Sequence, residues 1–171
     1  MICPNCGFDN LPGAEECSSC LQDLTQLDLP IACNRVERSL MEDPVGKLCR
    51  RKAITIHPKA TMREAIQAML GPGVGALLVV DDGGALCGIL SERDVLTKGT
   101  DDWDAVADQP VENLMTPDPE TVTARDTLAF ALHKMDMGGY RHLPVLKDGK
   151  PDSVISVRDV LRHITLLCKD G

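Results

Sequence analysis

Aromatic side chains are nearly absent from this chain, since Trp, Tyr and Phe together make up 2% of its 171 residues. The hydrophobic core must therefore be built from Val, Leu, Ile, Ala and Met. Proteins that bind single-stranded nucleic acids without sequence preference stack successive bases on aromatic rings. The sequence provides almost no such rings, which argues against this class of function.

Positive charge is missing from the start of the chain. Residues 1–30 contain five acidic side chains and no Lys or Arg, within a chain whose formal net charge is −8. Binding of DNA or RNA requires a basic footprint that neutralises phosphates. We therefore expect this segment to bind a protein partner rather than nucleic acid.

A long apolar run is missing as well. A membrane-spanning helix needs about 20 consecutive apolar residues, and no segment approaches this length. Met1 and Ile2 lead directly into Cys3, without the apolar stretch of a secretory signal peptide. The sequence predicts a soluble protein of the reducing cytoplasm with no membrane partner.

Four of the eight cysteines form two Cys-x-x-Cys pairs, Cys3/Cys6 and Cys17/Cys20. Two such pairs can close a tetrahedral four-sulfur site of the type that zinc prefers. Gly7 follows the first pair and readily adopts the positive φ that turns backbone N–H groups toward sulfur. Leu21 follows the second pair, so we expect the second turn to be less regular.

Zinc is the metal ion that these thiolates are predicted to bind. The alternatives are that the cysteines form disulfide bonds, carry out redox chemistry or bind iron. In a reducing compartment such pairs are more often metal ligands than bridges. Rubredoxin-type iron sites separate their pairs more widely and are rich in aromatics, whereas this segment has only Phe8. The pattern Cys-Pro-Asn-Cys-Gly followed by Cys-Ser-Ser-Cys resembles the short zinc ribbons of many prokaryotic proteins. The other cysteines are expected to be small core residues: Cys33, Cys49, Cys87 and Cys168.

The rest of the chain is an internal repeat, in which one sequence unit occurs twice. Position n matches n+66 from Pro44/Pro110 to Gly83/Gly149, and after a one-residue deletion the offset becomes 65. The shifted register pairs Ser91 with Ser156, Arg93 with Arg158 and Asp94 with Asp159. Duplication at this length implies two units that stack to bury a face that neither could bury alone.

Hydrophobic period and turn residues predict the order β-α-β-β-α in each unit, an α/β (α+β) fold. Thr61 and Glu64 form a predicted capping box, followed by an apolar face at Ile66, Met69 and Leu70. Glycines at 71, 73, 138 and 139 end the two helices. The predicted strands are Ala53–Ile56, Ala76–Val80, Leu86–Leu90, Glu120–Thr123, Leu143–Leu146 and Ser153–Val157, and the closing helices start near Ser91 and Ser156.

These patterns divide the chain into a ribbon (1–24), a joint (25–43), repeat one (44–100), a linker (101–109) and repeat two (110–171). Leu29-Pro30 interrupts the joint, and Cys33 to Met41 can form a short helix against the repeats. The acidic linker carries the single Trp103, whose ring is expected to dock on the domain or to contact a partner.

The repeated phrases resemble tandem cystathionine-β-synthase (CBS) domains over residues 44–168. The phrases are Gly-Ile-Leu-Ser-Glu-Arg-Asp-Val-Leu in repeat one, and Arg-His-Leu-Pro-Val-Leu and Val-Ile-Ser-Val-Arg-Asp-Val-Leu in repeat two. The resemblance implies two CBS repeats packed sheet to sheet around a pseudo-twofold axis. It also implies two clefts that bind AMP, ADP, ATP or S-adenosylmethionine, and a homodimer formed through the CBS modules.

The Ser-x-x-Asp motif that opens each closing helix has two interpretations. A hydroxyl and a carboxylate at the positive end of a helix dipole can bind a phosphate or ribose. The same residues can also form an ordinary capping box. Recurrence of the motif in a pair of CBS type favours the binding interpretation.

The two clefts are predicted to differ. The second cleft contains Ser156, Asp159 and the basic residues Arg141 and His142, and its predicted remaining wall is the strand Ile54-Thr55-Ile56. In the CBS family, basic residues at the places of Arg141 and His142 commonly approach phosphates, so this cleft is expected to take the phosphorylated nucleotide. The first cleft contains Ser91 and Asp94, closed by Thr121-Val122, and is expected to be weaker or to take a ligand with less phosphate. Arg93 and Arg158 are candidates for phosphate contacts or for dimer salt bridges.

The sequence thus predicts a non-catalytic regulatory protein that binds an adenine nucleotide and carries a zinc ribbon as a docking or structural element. No nucleophile and base are arranged for catalysis. The first alternative is a zinc-dependent scaffold or nucleic-acid-targeting protein whose CBS pair only dimerises. The second is a redox switch in which thiol oxidation releases zinc.

Overall fold

The computed structural model describes residues 1–25, 32–49, 51–98 and 102–169. The chain divides into two compact units, Met1–Cys33 and Asn34–Gly171. Across the described ranges, every helix is too short or too polar to cross a lipid bilayer.

The smaller unit consists of two turns that follow the same hydrogen-bond pattern. In the first, Cys3 N donates to Phe8 O and Gly7 N to Cys3 O, each at 2.9 Å. The second repeats both bonds at 2.9 Å, from Cys17 N to Gln22 O and from Leu21 N to Cys17 O. The expectation of a less regular second turn was wrong, because Leu21 adopts the left-handed conformation (φ 57°) that Gly7 adopts at 72°. The Leu21 side chain is 74% exposed, so the strain of this conformation is limited to the contact of its own Cβ with the backbone.

The larger unit carries the duplicated β-α-β-β-α order, which confirms the predicted fold class. Its described helices are α1 (Arg35–Glu42), α2 (Met62–Leu70), α3 (Glu92–Lys98), α4 (Trp103–Val106), α5 (Leu128–Gly138) and α6 (Val157–Lys169). Short 3₁₀ helices span Val45–Lys47 and Val111–Asn113. The described strands are β1 (Thr55–Ile56), β2 (Ala76–Val80), β3 (Leu86–Ser91), β4 (Thr116–Pro117), β5 (Val122–Thr123), β6 (His142–Lys147) and β7 (Lys150–Ser156).

Two sheets form from these strands, in the orders β1-β2-β3-β4 and β5-β6-β7. In each sheet the first pairing is parallel and the hairpin pairing is antiparallel. Leu78 and Ile89 of the first sheet pack with Val154 of the second. The sheets therefore meet face to face, as the family resemblance implied.

Capping residues place the two helices that cover the sheets. Thr61 Oγ1 accepts from Glu64 N, and the Glu64 carboxylate accepts from Thr61 N at 2.7 Å, which completes the predicted capping box. Helix α5 ends at Gly139, whose φ of 64° closes the last turn. The predicted apolar face of α2 was partly wrong, since Leu70 is 74% exposed. The buried stripe instead follows the i, i+3, i+7 positions of the helix: Met62, Ala65 and Met69.

Each repeat completes its core with the segment that precedes the other repeat. We call residues 43–49 the first lead-in and residues 109–115 the second lead-in. Val45 and Leu48 belong to the buried cluster of repeat two, whereas Val111 and Leu114 belong to that of repeat one. Reciprocal backbone bonds hold them in place, from Val45 N to Asp126 O at 2.7 Å and from Val111 N to Ala60 O at 2.8 Å.

The predicted helix of the joint is present as α1, capped by Asn34, whose Oδ1 accepts from Glu37 N at 2.9 Å. Helix α1 contacts α5 and α6. The predicted break at Leu29-Pro30 lies outside the described residues. Half-buried Trp103 opens α4, in the stretch that was expected to be a linker.

The expectation that the remaining four cysteines are core residues was wrong for Cys33, Cys87 and Cys168. Cys33 and Cys168 are exposed, and Cys49 and Cys87 are half-buried. Cys168 lies in the last turn of α6, where only Val160 of the helix is fully buried. Cys87 lies on β3 beside β4, whereas Cys49 ends the first lead-in and packs, half-buried, against the core of repeat two.

Candidate functional site: a four-cysteine cluster and two unequal clefts

The four predicted metal ligands lie together at the centre of the smaller unit. Their sulfur atoms are all within 4.8 Å of one another. Cys3 Sγ is 3.6 Å from Cys20 Sγ, and Cys6 Sγ is 3.6 Å from Cys17 Sγ. A tetrahedral zinc ion with Zn–S bonds of about 2.3 Å separates its sulfurs by about 3.8 Å. The geometry of the cluster therefore fits a zinc ion, and all four cysteines are free thiols.

Amide donors surround these sulfurs. Asn10 is 5% exposed, and its Nδ2 lies 3.5 Å from Cys17 Sγ while its Oδ1 accepts from Ser18 N at 2.9 Å. Burial raises the pKa of the Cys17 thiol, but N–H donors from the backbone and from Asn10 outweigh it and hold that pKa at about 6. Sequence reasoning missed Asn10, because its role depends on the return of the chain between the two cysteine pairs.

Both Ser-x-x-Asp motifs form the capping box that was the structural alternative. In repeat two, Asp159 Oδ2 accepts from Ser156 N at 3.0 Å and from the Ser156 hydroxyl, while Asp159 N lies 3.3 Å from Ser156 Oγ. Ser91 and Asp94 repeat this arrangement. One oxygen of each carboxylate therefore accepts hydrogen bonds from the serine at the start of the same helix.

The second oxygen of each carboxylate distinguishes the two clefts. In the first cleft, Asp94 Oδ1 pairs with Lys98 Nζ at 3.1 Å, and the same ammonium donates to Leu114 O at 2.7 Å. Burial raises the pKa of Asp94, but the bonds from Ser91 and Lys98 outweigh it and hold that pKa below its usual value. In the second cleft, Asp159 Oδ1 has neither a hydrogen bond nor an ion pair within the described ranges. It is therefore available to accept hydrogen bonds from ribose hydroxyls.

His163 explains why Asp159 differs from Asp94, since it occupies the place of Lys98 in repeat two. Its Nε2 lies 2.7 Å from Ser39 Oγ, within α1, and 3.5 Å from Oδ2 of Asp43, the residue that follows α1. The side chain is directed to α1 and forms no bond with Asp159. The sequence assigned His163 no role, because the contact joins residues 124 positions apart.

Two cavities border the second cleft. The larger has a volume of about 170 Å³ and is lined by Cys49, Arg51, Lys52, Asp152 and Ser153. The smaller, of about 10 Å³, lies between Leu48, Asp159, Arg162 and His163. A single water molecule needs about 10–15 Å³ by this measure. The larger cavity therefore has room for much more than one solvent molecule.

The two predicted phosphate ligands have different environments. Arg141 is exposed, and its carbonyl accepts from Val157 N at 3.0 Å where α6 begins. His142 lies where the repeats meet, because a Cβ at Gly75 would be 3.1 Å from its Nε2 and 3.4 Å from Glu92 Oε2. Burial lowers the pKa of His142, although the charges of Glu92 and Asp159 act in the opposite direction.

The remaining candidates lie in their own sheets. Thr55 pairs with Leu78, and Val122 pairs with Val145, so Ile54-Thr55-Ile56 and Thr121-Val122 extend the sheets of their own repeats. The residues that cross to the second cleft come just before this strand: Lys52 forms an ion pair with Asp152, and Ala53 N donates to Asp152 O at 2.9 Å. Arg93 and Arg158 are exposed.

Comparison with known families agrees with this architecture. The chain matches the CBS domain family twice, at residues 45–100 and 111–166. These two matches cover more than half of the chain, so it belongs to the CBS domain family and is a CBS-pair protein of regulatory type.

Similar proteins come from several organisms. The chain is 35% identical over 125 residues to an uncharacterised 17.7 kDa protein of Acidianus ambivalens, covering 72% of this chain and 74% of that one. It is 36% identical over 121 residues to the CBS domain-containing protein CBSCBSPB1 of Arabidopsis thaliana, covering 71% of this chain but only 22% of that relative. A structural match is the CBS domain protein PAE2072 of Pyrobaculum aerophilum, which was solved in complex with AMP. It has a TM-score of 0.64 and 25% identity, and the match covers 75% of this chain and 99% of that one.

Proposed function

We propose that this protein is a non-catalytic sensor that binds an adenine nucleotide in the second cleft, at Ser156, Asp159, Arg141 and His142. The observation that carries the proposal is the Asp159 carboxylate oxygen that no described residue binds, in a cleft that is also bordered by a cavity of about 170 Å³. The carboxylate suits the ribose hydroxyls, and the exposed guanidinium of Arg141 suits the phosphate. The AMP complex of a structurally similar CBS protein supports the same class of ligand.

Isothermal titration calorimetry with AMP, ADP, ATP and S-adenosylmethionine tests this proposal. Asp159→Ala removes one or two charge-assisted hydrogen bonds to ribose, which costs about 1.5 to 3 kcal/mol each. Asp94→Ala is the matched control, because it removes the same carboxylate from the other repeat. We expect affinity to fall only in the Asp159 variant. Equal affinity of the two variants would place the nucleotide elsewhere, and absence of binding to folded wild-type protein would favour the scaffold alternative.

We further propose that Cys3, Cys6, Cys17 and Cys20 hold a structural zinc ion. The support is the sulfur geometry and the amide donors at Cys17 and Cys20. Four thiolates around Zn²⁺ add about two negative charges to a segment already rich in Asp and Glu. The ribbon is therefore suited to docking a protein surface. Elemental analysis of the purified protein should give one zinc per chain, and iron in its place would contradict the proposal.

The third part of the proposal is a homodimer that forms through the larger unit, residues 34–171, which we call the CBS unit. Leu96 and Leu161 occupy equivalent places in the two repeats and are 65% and 58% exposed. Large apolar side chains at equivalent exposed positions are suited to a symmetric interface. The molar mass from light scattering tests this, and a concentration-independent monomer would contradict it.

A further inference from the structure

Ser153 is an unusual residue at the base of the larger cavity. It lies on β7, is 2% exposed and lines the 170 Å³ space together with Cys49 and Asp152. Within the described ranges its hydroxyl has no hydrogen-bond partner. A buried hydroxyl without a partner is unfavourable by about 1–3 kcal/mol, so it calls for a ligand that would bind to it.

The neighbouring Cys49 does not satisfy this hydroxyl. Burial raises the pKa of Cys49, and the Ser153 hydroxyl beside it acts in the opposite direction but more weakly. Cys49 therefore remains a neutral thiol at pH 7, and it donates to Val45 O at 3.4 Å. A neutral thiol is a weak acceptor.

The position in repeat one that corresponds to this cavity is occupied by a side chain. Gly88 stands where repeat two has Ser153, and Met115 stands where repeat two has Cys49. A Cβ at Gly88 would overlap Met115 Sδ and lie 3.0 Å from Met115 Cγ and from Thr116 O. The Met115 side chain thus occupies the space that the smaller Cys49 leaves open.

The charges around the two spaces also differ. Arg51 and Lys52 border the cavity of the second cleft, together with Asp152, which forms an ion pair with Lys52. The equivalent positions in the first cleft are Pro117 and Asp118, and Asp94 there is already paired with Lys98. The first cleft therefore has less room and less positive charge for an anionic nucleotide.

We propose that Ser153 is the base-recognition residue of the second cleft and that Met115 closes the first, so that each chain binds one nucleotide. The Ser153 hydroxyl binds a polar atom on the edge of the purine, whose ring nitrogens accept hydrogen bonds. This inference rests on the proposed nucleotide-binding function.

The test is Ser153→Ala, measured by calorimetry with AMP and by thermal unfolding. The ligand-free variant should unfold at the same or a higher temperature than wild type, because the substitution removes an unsatisfied buried group. AMP affinity should fall about three- to tenfold, the value of one hydrogen bond. Ribose 5-phosphate, which lacks the base, should compete equally well with a labelled nucleotide on both proteins. A merely structural role of Ser153 would weaken both ligands and lower the unfolding temperature.

The stoichiometry completes the experiment. We expect one AMP per wild-type chain, retained in Asp94→Ala. Unchanged AMP affinity in Ser153→Ala, or two nucleotides per wild-type chain, would overturn this inference and leave the proposed function standing. Absence of any adenosine ligand on the wild-type protein would overturn the proposed function and this inference with it.

Discussion

Gly88 and Ser153 occupy equivalent places in the two repeats and require different neighbours. Gly88 permits the close approach of Met115, whereas Ser153 faces Cys49 and open space. The duplicated sequence thus carries matched pairs of residues that cannot be exchanged one at a time. At the residue scale, these two residue pairs explain why one cleft contains open space and the other does not.

Gly88→Ser should destabilise the CBS unit by about 1–3 kcal/mol, since an added side chain overlaps Met115 in a packed site. The double variant Gly88→Ser with Met115→Cys recreates the pair found in repeat two and should recover most of that loss. Urea unfolding of the two single variants and the double variant gives the coupling energy. Additive effects would show that the two positions do not share one space.

His142 is expected to take up a proton when a phosphate binds. Its pKa is lowered by burial, so the imidazole is largely neutral at pH 7 in the ligand-free protein. A phosphate bound nearby favours the charged form and raises the pKa of His142 in the complex. Because the complex then holds more protons, affinity should increase as the pH falls from about 8 toward 6.5.

Calorimetry at pH 7 in two buffers of different ionisation enthalpy measures this proton uptake. His142→Gln should reduce the uptake. The phosphate of AMP contributes its own titration near pH 6 to both proteins, so the difference between them isolates the histidine. Equal uptake by wild type and variant would remove His142 from the phosphate site.

At the scale of elements, α1 is fastened to α6 by a cluster of three side chains. The Ser39 hydroxyl donates to Asp43 Oδ2 and accepts from His163 Nε2, an arrangement in which Nε2 carries the proton. Lys47 Nζ adds a bond to Asp43 at 2.7 Å. The bonds from Lys47 and Ser39 lower the pKa of Asp43. The stability that this carboxylate contributes is therefore complete above about pH 4 and is lost at lower pH.

Ser39→Ala should weaken the docking of α1, because it leaves His163 and Asp43 without their shared partner. We expect a loss of about 1–3 kcal/mol in the free energy of unfolding. Amide protons of α1 should also exchange faster with deuterium. Arg38→Ala on the exposed side of the same helix is the matched control and should change neither quantity. Equal behaviour of the two variants would contradict a fastening role for the cluster.

Local patterns in the sequence predicted the elements well. Thr61 was identified as a helix start from its own segment, and strand β2 was predicted at its observed ends. The lead-in exchange was not predicted, because Val45 and Val111 look the same whichever core they join. The same reason applies to the cavity: Cys49 and Ser153 are far apart in the chain, and their meeting depends on how the repeats pack. The roles of Asp159, Arg141 and His142 in ligand binding remain predictions.

At the scale of the whole molecule, the two compact units have separate buried clusters. That of the smaller unit consists of Cys3, Cys17 and Leu24. Cys17→Ser should release zinc and unfold this unit, because its core is formed largely by the metal ligands. The unfolding transition of the CBS unit should not change.

Zinc content and calorimetric unfolding test this independence. Cys168→Ser, an exposed cysteine outside the cluster, is the control and should keep both zinc and the complete transition. A common loss of both units in Cys17→Ser would show that they fold as one body.

The exchanged lead-ins also bear on how such a chain can arise and how it can be divided. Residues 43–49 complete the core of repeat two and residues 109–115 that of repeat one. A single repeat with its own lead-in would therefore leave one core incomplete unless a second copy supplied the missing segment. An ancestor of half this length would have needed to be an obligate swapped dimer. Fusion of two such copies would leave each half free to change separately, as the different residue pairs Ser153 with Cys49 and Gly88 with Met115 now do.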